Sequence, residues 1–243
     1  RKCLKRWDIY LKNNVGAGLK PARTGMDNTQ IAVVIRRLKV AMRDWPDPSV
    51  TLVGKKWKDP FLVLISCLLS LRTKDETTLP ACERLFARAR DIRGLLNIPV
   101  GEMEKLIYPV GFYRTKARTI HGVCRDLRTH FNGKVPEDLE QLLTLKGVGR
   151  KTANLVVTEG FGKPGICVDT HVHRISNRLG YVKTKTPEET EFALRAKLPA
   201  QYWIEYNAML VTWGQNVCKP VSPLCSRCPV NRICRRVNVG VHR

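Results

Sequence analysis

Leu145-Lys146-Gly147-Val148-Gly149-Arg150-Lys151-Thr152 decides the reading of this chain. The stretch lies between two segments of helical character, Glu137–Thr144 and Gly149–Glu159. Two glycines in a tight turn let backbone N–H groups come close to a phosphate, and the next helix N-terminus adds its dipole. An ordinary helix–helix turn tolerates one glycine and has no need of Leu-x-Gly-Val-Gly-Arg-Lys. The pattern reads as a helix-hairpin-helix, which grips a nucleic-acid backbone without reading its bases. Lys146, Gly147, Val148, Gly149 and Arg150 are its expected contact residues.

Lys151 falls in the first turn of the second helix, where the positive end of the helix dipole disfavours an ammonium. A lysine so placed can act as an amine nucleophile and form a Schiff base with a sugar carbon. A plain phosphate-binding lysine fits the same position, and the residues alone leave both open. Downstream, Asp169 in Val168-Asp169-Thr170-His171 precedes a helical stretch ending at Leu179-Gly180, so it is a good N-cap. Near a sugar, such an ionised carboxylate would stabilise developing positive charge. His171 and His173 stand two apart and cannot share a helix face, which excludes a His-x-His metal pair.

Cys218, Cys225, Cys228 and Cys234 follow the spacing C-x6-C-x2-C-x5-C. Four thiolates on one short loop can surround a single metal centre, and soft sulfur ligands suit iron–sulfur clusters or zinc. Zinc sites usually come as paired CxxC knuckles, and only Cys225–Cys228 has that gap, a modest argument for iron–sulfur. Pro220, Pro223 and Pro229 deny the loop regular structure, so the metal must hold it. Lys219, Arg227, Arg232, Arg235 and Arg236 would offer charge to phosphates. A ferredoxin-like electron carrier is disfavoured by the long helical chain in front of the cysteines.

The 243 residues carry 43 Lys+Arg against 21 Asp+Glu, a formal charge of +22, which points to a polyanionic partner. With 43% hydrophobic residues the chain can build a substantial core. The longest apolar run, Phe61 to Leu71, is shorter than the ~20 residues a membrane helix needs, so no membrane association is expected. Cys3, Cys67, Cys82, Cys124 and Cys167 are scattered and mostly in apolar surroundings, which suits a reducing compartment better than a disulfide framework. Residues 1–25 hold seven Lys/Arg against Asp8 alone and end in a turn-rich stretch. They are expected to be a poorly ordered basic extension, with Met26 a plausible initiator.

The rest reads as all-α. Asp59-Pro60 starts an apolar helix Phe61–Leu71. Ile120, Cys124, Leu127 and Phe131 recur at helical spacing, with Gly133 at the C-cap. Thr186-Pro187-Glu188-Glu189 is a capping box before a helix ending near Leu198. Pro80 fits only a first helical turn, so the Thr77–Ala89 helix is expected to start late or kink.

Taken together, these residues resemble the endonuclease III family, from about Asn28 to Arg235. The resemblance is carried by LKGVGRKTAN (Leu145–Asn154), VDTHVHRISNRLG (Val168–Gly180) and the cysteine spacing. It implies a two-lobed helix-hairpin-helix glycosylase fold. Residues 53–163 would form a six-helix barrel, and residues 26–52 with 164–243 a lobe holding a 4Fe-4S cluster on the four cysteines. The family acts on double-stranded DNA with damaged pyrimidines or abasic sites, flipping the base into the cleft between the lobes. By resemblance, Lys151 is the amine that attacks C1′, Asp169 the carboxylate that stabilises the cationic sugar, and Phe112 a wedge in the duplex. His171 is a further expected DNA contact. Arg72 stands in Leu69-Ser70-Leu71-Arg72-Thr73-Lys74-Asp75 where relatives commonly have Gln filling the gap left by the flipped base. Its five donors read a different pattern, which leaves opposite-base preference open. A monomer in a bacterial cytoplasm, associated with the nucleoid, is expected. A related adenine-mismatch glycosylase lacks the catalytic lysine and has a further C-terminal domain. A DNA-binding module without catalysis would not need both Lys151 and Asp169.

Overall fold

The computed structural model describes residues 25–243, so the basic extension and Cys3 fall outside the described residues apart from Gly25. Every regular element among them is helical. In chain order the α-helices are α1 (Asn28–Ala41), α2 (Ser49–Trp57), α3 (Pro60–Ser70), α4 (Asp75–Arg88), α5 (Ile92–Asn97), α6 (Val100–Ile107), α7 (Tyr113–His130), α8 (Leu139–Leu142), α9 (Arg150–Leu155), α10 (Thr170–Arg178), α11 (Pro187–Lys197) and α12 (Trp203–Asn216). Short 3-10 turns lie at Ala200–Tyr202 and, within the cysteine loop expected to lack regular structure, at Cys225–Arg227. A π turn, Val156–Gly160, extends α9.

Two separate hydrophobic cores organise these helices. The first gathers side chains between Val50 and Cys167. Its centre is α3, buried at every position from Phe61 to Leu69, as an all-round apolar helix requires. Helices α2, α4, α7 and α9 pack around it. Asp59 accepts from the Phe61 N–H at 2.8 Å and Pro60 sits at the first helical position, the start read from sequence. The second core joins Met26–Leu38 to residues between Ile166 and Val230, with Trp45 stacked on Trp213 at 5.7 Å. The chain therefore leaves the second lobe after α1, builds the first, and returns.

Some sequence expectations shift. Helix α4 starts earlier than expected, at Asp75, and runs through Pro80 without interruption. Pro80 lies on its exposed face, as does Glu76, so the carbonyl left without a donor meets water. Phe131 caps α7, and Asn132 and Gly133 then both take positive φ, with the Gly133 N–H closing onto the Leu127 carbonyl. Thr186 caps α11 by accepting from Glu189 N–H, but the Glu189 carboxylate reaches back to the Lys185 N–H. The first helix of the hairpin is a single turn, α8, capped by Asp138.

Candidate active site

Lys151 and Asp169 meet in the cleft between the lobes. α9 presents Lys151 from the first lobe and the N-terminus of α10 presents Asp169 from the second. Lys151 Nζ lies 3.7 Å from Asp169 Oδ2, with the lysine side chain 41% exposed and the carboxylate 7%. The other oxygen, Oδ1, accepts from the N–H groups of His171 and Val172 at 2.8 and 2.9 Å. One oxygen therefore caps α10 while the other faces the amine. The cleft, about 260 Å³, is also lined by Arg72, Asp75, His171 and Gln215. Asp75 is fixed by Ser49 Oγ at 2.5 Å and Gln215 Nε2 at 3.0 Å.

His171 is half-buried, and its Nδ1 is 3.1 Å from Arg174 Nη2. A guanidinium only donates, so Nδ1 accepts and the neutral ring carries its proton on Nε2. Burial lowers the His171 pKa from its ordinary value, opposed by the charge of Asp169. Gly214 makes this packing possible: a Cβ there would lie 2.3 Å from His171 Nδ1.

In the hairpin, Gly147 has φ +89 and a Cβ would strike Thr119 at 2.7 Å, whereas Gly149 faces open space. Lys146 is exposed and Val148 packs into the first core. The Arg150 side chain turns toward the second lobe. Its Nε and Nη2 bond both oxygens of buried Glu191 at 3.0 and 2.7 Å. Arg195 adds a third contact to Glu191 at 3.0 Å and reaches Asn154 at 2.9 Å, tying α9 to α11.

Arg72 and Phe112 sit on two facing turns at the mouth of the cleft, both with left-handed backbone, φ 52 and 57. The guanidinium lies 5.8 Å from the centre of the Phe112 ring, which is 63% exposed. Beneath them, buried Lys116 donates to Leu69 O, Leu71 O and Thr73 Oγ1 at 2.7, 2.6 and 3.0 Å. Burial pulls its pKa down to about 8.

Cys218, Cys225, Cys228 and Cys234 line a single cavity with Arg178, Asn231 and Arg236. Asn231 Oδ1 is buried there without a partner, and Arg178 Nη1 approaches Cys218 Sγ at 3.5 Å. Cys67, Cys82, Cys124 and Cys167 are buried free thiols whose pKa values burial raises, about 12 for Cys82 and Cys124, which keeps them unreactive.

Comparison with known proteins decides the family. Residues 65–200 match the HhH-GPD superfamily base excision DNA repair proteins. The chain is 50% identical over 179 residues to endonuclease III of Thermotoga maritima, covering 74% of this chain and 84% of that one. This chain belongs to the endonuclease III family. It is accordingly a base excision repair enzyme, a DNA glycosylase with AP-lyase activity. Endonuclease III-like protein 1 of Bos taurus is 40% identical over 191 residues, and the chain spans 61% of its length. Among solved structures, the trapped endonuclease III–DNA covalent intermediate in its estranged-adenine complex superposes with TM-score 0.76 at 34% identity, covering 87% of this chain and 97% of that one.

Lys116, Glu191 and Asp75 were missed from sequence. Lys116 had a readable signal: it lies four residues before Ile120 and eight before Cys124, on the apolar stripe of α7. An ammonium in that phase must find acceptors inside the protein. Glu191 and Asp75 gave no such sign, because their partners are distant in the chain.

Proposed function

We propose that this enzyme excises oxidised pyrimidines from duplex DNA and cuts the strand through a Schiff base on Lys151. The observation that carries the reading is the 3.7 Å approach of Lys151 to Asp169 in a cleft between two lobes. With a nucleotide flipped into the cleft, Lys151 Nζ in its neutral form adds to C1′ as the glycosidic bond breaks, and the base leaves with a proton. The nitrogen lone pair then expels the ring oxygen, which is protonated, leaving a C1′=N Schiff base. Loss of a C2′ proton expels the 3′ phosphate and cuts the strand. Asp169 Oδ2 faces the positive charge that develops on the sugar and can take up protons; its Oδ1 keeps the carboxylate aimed.

Lys146 and the backbone of Gly147, Val148, Gly149 and Arg150 would hold the phosphates, with His171 contacting DNA beside the cleft. Phe112 would wedge into the stack and Arg72 fill the gap opposite the flipped base. In this reading residues 53–163 form the barrel, and residues 26–52 with 164–243 the lobe that holds the cluster. The enzyme works as a monomer on chromosomal DNA, in a bacterial cytoplasm. None of the described helices is long and apolar enough to cross a membrane.

The cysteines fit a 4Fe-4S cluster. All four line one cavity, and four soft thiolates on one loop are the donor set that such a cluster takes. A cluster gives each thiolate its own iron, whereas one zinc needs its sulfurs at ~2.3 Å from one point. Such a cluster would hold the proline-rich loop and its arginines in shape.

A cleavage panel tests the substrate reading. Duplexes with thymine glycol or dihydrouracil should be cut, and undamaged thymine should not. A protein that cuts abasic sites but none of the oxidised pyrimidines would refute it. Iron analysis with visible absorbance tests the cofactor: stoichiometric zinc in a colourless protein would refute the cluster.

A further inference from the structure

We propose that Lys116 is a positioning residue that locks the Arg72 and Phe112 turns into one rigid element, so that both side chains enter a duplex as a preassembled pair. The proposal rests on the reading of Arg72 and Phe112 as the residues that enter the helix stack.

An ammonium has three donors, and Lys116 finds an acceptor for each: Leu69 O, Leu71 O and Thr73 Oγ1. Two of these are carbonyls at the C-terminal end of α3, where carbonyls lack helical partners and a cation is favoured by the dipole. Lys116 itself belongs to the first turns of α7, the helix that Phe112 precedes. One side chain on the Phe112 element thus holds the turn that carries Arg72. A second bond runs beside it, from Gly111 N–H to Thr73 Oγ1 at 3.2 Å. Gly111 also lies flush against the Arg72 backbone, since a Cβ there would be 2.9 Å from Arg72 O.

The backbone explains why such bracing is needed. Arg72 and Phe112 both hold positive φ, which for residues other than glycine costs free energy and persists only where the surroundings impose it. Both side chains are exposed, so their own packing does not impose it. The buried ammonium and Thr73 are the contacts that tie the two turns to each other. Inserting side chains held in place before DNA arrives lose less freedom on binding.

The test uses full-length, cluster-containing protein and a duplex with tetrahydrofuran, a stable abasic analogue, opposite 2-aminopurine. Insertion unstacks the opposite base and raises its fluorescence. Lys116→Met removes the donors and keeps most of the stem; Gly111→Ala leaves Lys116 in place and drives a methyl against Arg72 O. At saturating protein both variants should lose more than half of the fluorescence rise. On a true abasic duplex kcat should fall roughly tenfold, as for loss of one hydrogen bond to a charge, with KM nearly unchanged. Arg72→Ala and Phe112→Ala are measured alongside. If those two keep the full rise, the insertion reading fails and takes the proposal with it. If they lose it while Lys116→Met and Gly111→Ala keep it, the clamp alone is wrong. Should Lys116→Met fail to fold, Gly111→Ala decides.

Discussion

Asp169 divides its two carboxylate oxygens between holding α10 and facing Lys151. Asparagine can keep the first role, since its carbonyl oxygen caps a helix as well as a carboxylate does. Asp169→Asn should therefore cut turnover by about a hundredfold or more, as loss of electrostatic stabilisation does, and change DNA affinity little by fluorescence anisotropy. A parallel fall in affinity would assign Asp169 to structure alone. His171 makes a second expectation. Burial depresses its folded pKa below the ordinary value of 6.5, so on acidification the unfolded chain takes up a proton before the folded one does. Its contribution to stability is full above about pH 6.5 and falls as pH drops through the window between the two values. The loss of melting temperature between pH 7 and pH 5.5 should be smaller in His171→Gln than in wild type; an equal loss would place the proton uptake elsewhere. Asp169 and Lys151 were legible as candidates because a cap and a hairpin are local patterns, whereas His171 entered only through the family resemblance. Their neighbours were not, because Lys151 and Asp169 come from different lobes and Arg174 reaches His171 only through helical phase.

At the scale of elements, the Glu191 cluster joins α9 to α11 and so holds the lysine-bearing helix against the second lobe. Glu191 is buried, and removing it would leave two guanidinium groups facing each other across a vacated site. Glu191→Ala should cost about 3 kcal/mol of stability, measured by denaturant unfolding, whereas Lys55→Ala at the exposed pair with Asp47 should cost under about 1 kcal/mol. Equal costs would mean the Glu191 cluster is not a junction. Helix starts and the central α3 were readable, since Asp59-Pro60 and a run of apolar residues leave little choice. Pro80 was misjudged because its exposure, which makes it tolerable inside α4, depends on how α4 packs. The hairpin's first helix came out shorter than its sequence suggested, as Asp138 starts it late and the turn to Gly147 ends it early.

At the scale of the molecule, two cores separated by a cleft explain how a chain of formal charge +22 can act on a polyanion. The hairpin and the cysteine loop each bring basic groups to the surface, and a flipped nucleotide would occupy the space between the lobes. Affinity for abasic duplex should fall steeply and linearly in log–log form as salt rises from 50 to 200 mM; a flat profile would mean that phosphates do not dominate binding. The all-helical architecture could be read from periodicity and caps, but its two-lobed form rested on family resemblance, because the second core joins α1 to helices more than a hundred residues later.

The central claim is that Lys151 is the amine that bonds to the sugar. Borohydride reduction of the enzyme on an abasic duplex, followed by digestion and mass spectrometry, tests it most directly. The account expects one covalent protein–DNA adduct, located on the peptide containing Lys151 and absent in Lys151→Ala. An adduct on another lysine, or undiminished trapping in Lys151→Ala, would contradict it.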